Sequence, residues 1–317
     1  MWNLDLTYRT DLESTFERLF DKQKLLHKSR PISGTALRKI EESLAIEWTY
    51  NSNSIEGNTL SLRETQMVLQ EGITIKGKSL REHFEAKNHE SALYLLDKFV
   101  TSNTSLSLNV LLDLHGLILR SIEDDQAGRI RNGGVRISGA NFVPPNARKV
   151  SSLLHELISF IESNPLDLNI IELATVFHHK LVWIHPFFDG NGRTARLSMN
   201  LILMSFGFPP AIILRNDRKK YYAALNAANK GNYQKLMLLM VQAEERTLNI
   251  YINALPGSED GYDEISNIVK EDDVPYGQEY ISLLARQGKI DAYKEGKNWL
   301  TSKKAIHNYI ITRKRNR

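Results

Sequence analysis

The chain has 317 residues, 42% of them hydrophobic and 25% charged, with a net charge of +4; this length accommodates a large core plus one or two smaller lobes, and the balance is that of an ordinary globular protein. It contains no cysteine, which excludes disulfides, zinc–thiolate sites and thiol nucleophiles together, leaves His and carboxylates as metal ligands, and makes a reducing cytoplasm the expected setting. The first residues, Met1-Trp2-Asn3-Leu4-Asp5, lack a basic stretch followed by an apolar one, and the longest apolar runs, around 197–208 and 236–241, are too short to cross a bilayer. Neither a secretory signal nor a membrane contact is expected.

The charge is unevenly spread. Residues 270–317 hold eleven Lys/Arg against six Asp/Glu, so the basic excess belongs to the C-terminal end. Taken in order, residues 10–29 predict a first helix with Leu12, Phe16, Leu19, Phe20 and Leu26 at helical spacing, broken by Pro31 and Gly34. A second helix is predicted from about 35 to 52, followed by Ser52-Asn53-Ser54-Ile55-Glu56-Gly57-Asn58, a run of helix-stopping residues that carries one acid. On its own Glu56 is either a solvated helix-end carboxylate or a group that reaches another site and pairs with an arginine there.

Ser61 and Glu64 have the spacing of a capping box and open a helix to about Gly72. Helices over about 80–100 and 106–119 follow, the first with Glu85, Asn88, His89 and Glu90 in structural roles. Residues 128–145 then alternate apolar and polar positions between glycines, which predicts a β-hairpin in an otherwise helical chain, either a flap over a site or a plain connector. Helices over about 147–162 and 170–184 come next, and the second delivers His185 at its end.

From His185 the sequence runs Pro186-Phe187-Phe188-Asp189-Gly190-Asn191-Gly192-Arg193-Thr194-Ala195-Arg196. Pro186 ends the helix and places the imidazole at a helix–loop junction. Asp189 is a hard-metal ligand, the glycines can turn successive N–H groups inward as an anion nest, and a new helix starting near Asn191 points its positive end at the same place. Arg193 and Arg196, three residues apart, share a face of its first turns, where a helix dipole disfavours cations unless they grip a polyanion. A zinc site from His178, His179, His185 and Asp189 is the weaker alternative, because the spacing matches no common hydrolase motif.

Residues 185–196 match in full the signature H-P-F-x-D-G-N-G-R-x-x-R, and the chain therefore resembles the Fic family. The resemblance implies a mainly α fold, a Fic-type helical bundle with a β-hairpin flap, in a protein adenylyltransferase that moves AMP from ATP to a Ser, Thr or Tyr hydroxyl of a target protein and releases pyrophosphate. It implies His185 as general base, Asp189 as the ligand of Mg²⁺, and nucleotide contacts from Gly190, Asn191, Gly192, Arg193, Thr194, Ala195 and Arg196. It further implies adenine-side contacts from Tyr221, Tyr222 and Asn229, and a flap strand formed by Val135, Arg136, Ile137 and Ser138. Ser52, Glu56 and Gly57 fit the family's inhibitory pattern S/T-x-x-x-E-G/N, so a helix over about 35–57 is expected to place Glu56 on Arg196 in competition with the γ-phosphate.

The expected division is an N-terminal helical region (1–100) carrying that inhibitory helix, a catalytic core (101–255), and a C-terminal lobe (256–317). In the lobe, residues 287–300 read as a two-strand wing before a helix from Ser302, which resembles a winged helix-turn-helix. Its basic surplus and the tail Arg313-Lys314-Arg315-Asn316-Arg317 are equally compatible with DNA contact and with a protein-binding or homodimer-forming role. Two other functions fit the same residues: a nucleotide-sensing DNA-binding regulator, and an enzyme that removes AMP or transfers another phosphate-containing group.

Overall fold

The computed structural model describes residues 4–29, 34–137, 142–255, 261–271 and 273–315. Its helices are α1 (Tyr8–Lys28), α2 (Gly34–Ile55), α3 (Leu62–Gln70), α4 (Leu80–Thr101), α5 (Leu108–Leu119), α6 (Ala147–Ser163), α7 (Ile170–Ile184), α8 (Asn191–Ser205), α9 (Arg218–Ala228), α10 (Gln234–Asn253), α11 (Ile265–Ile268), α12 (Gln278–Arg286) and α13 (Lys303–Arg315). Three short strands, β1 (Asp263–Glu264), β2 (Ala292–Glu295) and β3 (Asn298–Thr301), form one antiparallel sheet in the order β1-β3-β2. Among the described residues no helix is long and apolar enough to cross a membrane.

Helix α8 is the axis of the molecule because its residues are apolar on two sides. Ala195, Met199, Ile202 and Leu203 join one core with Leu12, Phe16 and Leu19 of α1, Phe177 and Leu181 of α7, and Leu236 and Met240 of α10. Leu197 and Leu201 join a second core with Leu44 and Trp48 of α2, Ala92 and Leu96 of α4, and Leu114 and Ile118 of α5. A helix buried all round cannot shift without opening both cores, so the position of its N-terminus is fixed.

The predicted capping box is present: Ser61 accepts from the Glu64 N–H while Glu64 accepts from the Ser61 N–H, and the same device opens α4 with Ser79 and Glu82. Helix α2 runs past the expected stop near residue 52 to Ile55. Asn and Ser interrupt helices by bonding to their own backbone, but here some of those side chains bond elsewhere: the Asn51 amide oxygen accepts from the Arg215 N–H and Asn53 donates to the Glu85 carbonyl. Residues 51–54 are buried, and the helix continues until Gly57 turns the chain with φ +110°.

The predicted hairpin at 128–145 differs in kind. No strand ladder joins its described residues, and 138–141 lie outside them. Its two arms meet through one buried side chain instead: Arg131 donates to Gly133 O at 2.8 Å and to Pro145 O at 2.6 Å. A guanidinium presents five donors, and here they do the closing that backbone pairs would do in a ladder.

Residues 261–315 carry a core of their own, with Ile265, Ile268, Ile281, Leu284, Ile290 and Ile306 at its centre. The expected two-strand hairpin is β2–β3. It docks on the helical body through polar contacts: Lys22 with Asp291 at 2.5 Å, Arg246 to Lys294 O at 2.9 Å, Lys294 with Asp217 at 3.0 Å, and Asn216 to Gly296 O at 3.4 Å.

Candidate active site

His185 is the C-cap of α7 and adopts φ 51°, ψ 62°, a left-handed conformation that costs a non-glycine residue energy. The surroundings hold it there. Its N–H donates to Leu181 O at 3.0 Å, its carbonyl accepts from Arg131 Nε at 2.6 Å, and the Arg131 N–H donates to Pro186 O at 2.9 Å. Because a carbonyl can only accept, the 3.3 Å contact from Nδ1 to Val182 O assigns the proton to Nδ1. The Nε2 lone pair is then the free one. Burial pushes the ring's pKa down to about 4 despite the Val182 carbonyl, which favours the protonated ring; Arg131 acts in the same direction as burial, and Glu56 and Asp189 act against it. At neutral pH His185 is a neutral imidazole, the form a general base needs.

The loop after His185 is braced from inside. Phe187 stacks flat on His115 at 3.6 Å between ring centroids, and His115 accepts from the Gly128 N–H on Nδ1, so its Nε2–H is the donor to Asp189 O at 3.1 Å. Asn191 brackets the turn, its amide oxygen accepting from the Phe187 N–H and its amide NH₂ donating to Phe187 O, both at 2.9 Å. Gly190 has φ +74° and lies so close to His115 and Ile118 that a Cβ would crowd both at 3.2 Å. The first hydrogen bond of α8 runs from the Thr194 N–H to Gly190 O at 2.9 Å, so by helix geometry the N–H groups of Asn191, Gly192 and Arg193 have no intrahelical partner. N–H groups so placed at a helix start can bind an anion.

The two arginines of α8 diverge. Arg196 is buried, and its Nη1 meets Glu56 Oε1 at 2.8 Å while Nε donates to Ser52 Oγ at 3.1 Å and Nη2 to Ser52 O at 2.8 Å. The pair expected between positions 56 and 196 therefore exists, and Ser52 of the same pattern holds the other edge of the guanidinium. Gly192 has ordinary helical φ; what it needs is space, because a Cβ there would overlap the Glu56 carboxylate. Arg193, also buried, turns to Glu85 at 3.3 Å and Asp189 at 3.6 Å. Asp189 is half-buried and its Oδ2 takes a 2.5 Å contact from Arg81, a residue for which the sequence offered no reading.

Other expected site residues fall in different places. Thr194 and Ala195 are fully buried and bring no side chain to the turn. Tyr221 is also internal, with its hydroxyl 2.8 Å from His178 Nε2, and has no face for a purine. Its neighbour Tyr222 is half-buried and lies under Arg218, and both donate to Ile55 O, at 3.3 and 2.7 Å. Asn229 accepts from His179 Nε2 at 2.8 Å, which leaves its NH₂ group as donor. Val135 and Ile137 are half-buried and Arg136 is exposed, while Ser138 lies outside the described residues. The zinc alternative dissolves, since His178 and His179 pair with Tyr221 and Tyr233 and no metal-type cluster of three or more ligands occurs among the described residues.

Arg131 and Arg81 are the residues that motif reading missed; Glu85 keeps the structural role expected of it by pairing with Arg193, and Arg218 opens the segment expected on the adenine side. Arg131 acts on backbone carbonyls and Arg81 bridges α4 to the turn, so neither sits at a fixed spacing from the motif.

A helical body with a histidine at the junction of two central helices, followed by a glycine-rich turn at a helix N-terminus and a buried arginine, has the chemistry of an anion site. The Fic/DOC family profile matches residues 105–203. The chain is 37% identical over 229 residues to protein adenylyltransferase fic-1 of Caenorhabditis elegans, covering 71% of this chain and 45% of that protein. It is 33% identical over 289 residues to protein adenylyltransferase Fic of Aedes aegypti, covering 90% and 56%. The solved structure of C. elegans Fic-1 superposes with a TM-score of 0.68 at 33% identity, covering 77% of this chain and 72% of that one. The chain belongs to the Fic family. It spans about half the length of the curated relatives it matches.

Proposed function

We propose that this protein is an adenylyltransferase that transfers AMP from ATP to a hydroxyl side chain of a target protein and that Glu56 holds it inactive. The observation that carries this reading is the neutral His185 with a free Nε2 beside a helix N-terminus and the buried Arg196, whose guanidinium Glu56 occupies. In the reaction the target hydroxyl oxygen attacks the α-phosphorus, its proton passes to His185 Nε2, and the bond to the pyrophosphate oxygen breaks. The N–H groups of Asn191, Gly192 and Arg193 would hold phosphate oxygens, and Arg196 would hold the γ-phosphate once Glu56 leaves.

Asp189 fits Mg²⁺, because this small cation is usually held by one or two carboxylates with the remaining positions taken by phosphates and water. Its side chain is 38% exposed beside the N-terminus of α8. Bound there, the ion would neutralise phosphate charge. On the adenine side the reading now rests on Tyr222 and Asn229, with Tyr221 behind them. In functional terms residues 1–100 carry the inhibitory helix, 101–255 the chemistry, and 256–317 a winged-helix-like C-terminal lobe, in a cytoplasmic protein.

The lobe's strand order, with α11 and α12 between β1 and β2, supports the winged-helix reading. Its hairpin tip is turned onto the helical body at Asn216 and Asp217, so any duplex would have to be met by the helices and not by this wing.

The test is Glu56→Gly protein with labelled ATP and Mg²⁺. Incorporation of label into the protein itself should rise at least tenfold over wild type and disappear in Glu56→Gly/His185→Ala, with an intact-mass gain equal to AMP. A mass gain of phosphate, or label that survives loss of His185, would overturn the assignment.

A further inference from the structure

Asp189 is not waiting for a metal with free oxygens. Its Oδ1 accepts from the Gly190 N–H at 2.6 Å and faces Arg193 at 3.6 Å, while its Oδ2 is taken by Arg81 Nη2 at 2.5 Å. Arg81 stands in the first turn of α4, 108 positions away in sequence, with its side chain 47% exposed. It has a second seat: Nη1 donates to Glu123 Oε1 at 3.0 Å, and Nε lies 3.5 Å from Glu85 Oε1. Arg193 has no comparable freedom, being 2% exposed and wedged between Glu85 and Asp189.

We propose that Arg81 is a positioning residue that contests Asp189 with the divalent cation: in the metal-free protein its guanidinium occupies Oδ2, and it withdraws onto Glu123 when the cation of the nucleotide complex takes that oxygen. The inference rests on the reading of Asp189 as metal ligand given above. Charge explains the exchange. Arg81 and Asp189 attract as opposite charges; with a metal on the same oxygen two cations would face it, and the half-exposed Arg81 side chain, unlike the buried Arg193, is the one that can leave. Glu123 keeps Arg81 paired after it leaves, so the exchange strands no charge.

The consequence is a sign that differs between two neighbours. In the Glu56→Gly background, the dissociation constant of a non-hydrolysable ATP analogue is measured by calorimetry with Mn²⁺ and, separately, with EDTA. Removing the competitor, Arg81→Ala, should tighten the Mn²⁺-dependent binding by roughly two- to fivefold, the size expected of a half-exposed ion pair. Removing the second seat, Glu123→Ala, should weaken it, because Arg81 then stays on Asp189. Arg81→Gln, which keeps the stem of the side chain, repeats the first arm if the alanine variant folds poorly.

Asp189→Ala is the control for the underlying reading and should erase the difference between Mn²⁺ and EDTA. If it does not, Asp189 is not the metal ligand and the proposal falls with that reading. If Asp189→Ala erases the difference but Arg81→Ala leaves the Mn²⁺ constant unchanged, the exchange alone is wrong. Weaker binding in both Mn²⁺ and EDTA would make Arg81 a phosphate contact and would also overturn the exchange.

Discussion

The turn after His185 is gripped on two sides, and the two grips are built differently. Toward α2, Arg196 is buried and held by Ser52 as well as Glu56, whose carboxylate lies where a Cβ on Gly192 would sit. Toward α4, Asp189 and Arg81 are both more than a third exposed; Arg81 also meets Glu85 and Glu123, and Arg193 meets both Glu85 and Asp189. A desolvated cation with one charged partner tolerates only the replacement of one anion by another, so on the proposed function the α2 side would act as an on–off contact. Charges near water that have several partners can redistribute by small steps, so the α4 side is graded. Inhibition by Glu56 and tuning by Arg81 would then be separable in the same site.

Acid should break both sides and gives the largest expected effect. Burial first, and Arg196 in addition, pushes His89 of α4 and His178 of α7 down to about 3, while burial pushes His115 beneath Asp189 down to about 4. His179 and His185 are lowered to about 3 and about 4, again chiefly by burial. These five groups are neutral in the folded protein and take up protons near pH 6.5 once unfolded, so the unfolded state binds more protons in that window. The stability they support is complete above about pH 6.5 and is lost as pH falls toward the folded values. Melting temperature should therefore drop steeply between pH 6.5 and 4, with no comparable loss between pH 7 and 8. Replacing any one of His89, His178 or His115 by Gln should relieve part of the acid slope. A melting temperature flat from pH 7 to 4.5 would refute this account.

Gly192 tests whether the α2 side is as tight as its geometry states. A Cβ at this position meets the Glu56 carboxylate first and Arg196 Nη1 next, at 3.1 Å. Gly192→Ala should cost about 1–3 kcal/mol by overpacking in the wild-type background. In Glu56→Gly the main obstacle is gone, and the same change should be close to neutral, since alanine is also the better helix residue. Chemical denaturation of the four proteins of this double-mutant cycle measures the coupling. Equal costs in the two backgrounds would mean that Glu56 does not lie over the Gly192 backbone in solution.

Much of this arrangement was legible before any coordinates, and the legible part is local. The capping boxes, the stop at His185-Pro186, the glycine turn and the positions of Glu56 and Arg196 all follow from residues within a few positions of one another or from the family pattern they match. Contacts across long separations left no such trace: Arg81 lies 108 residues from Asp189, and Arg131 acts on carbonyls, which any residue supplies. The unpaired hairpin arms belong to the same class, because alternation signals an extended chain but not what closes it. Tyr221 was recoverable. Tyr221, Ala224, Leu225 and Ala228 form the buried stripe of α9, and helical phase alone puts Tyr222 to the side of it. The continuation of α2 through residues 51–54 was not, since those Asn and Ser side chains favour helix only where distant partners occupy them.

Salt gives the smallest effect and separates the two grips most directly. The Debye length is about 10 Å at 0.1 M salt and about 3 Å at 1 M, and screening reaches exposed charges far more than buried ones. Arg81→Ala should lower stability by no more than about 1 kcal/mol at low salt, and that deficit should shrink toward zero in 1 M NaCl. Glu56→Gln keeps the shape of the side chain but leaves the buried Arg196 without its charged partner, a loss of about 1–3 kcal/mol once the partial exposure of Glu56 is allowed for. That larger deficit should persist at 1 M, because counterions cannot reach Arg196. Paired melting curves at 0.05 and 1 M NaCl supply both differences. If the Glu56→Gln deficit also vanishes in salt, water reaches the α2 side and its contact is graded like the other; if the Arg81→Ala deficit persists, Arg81 is a fixed brace on Asp189 and not a mobile competitor for it.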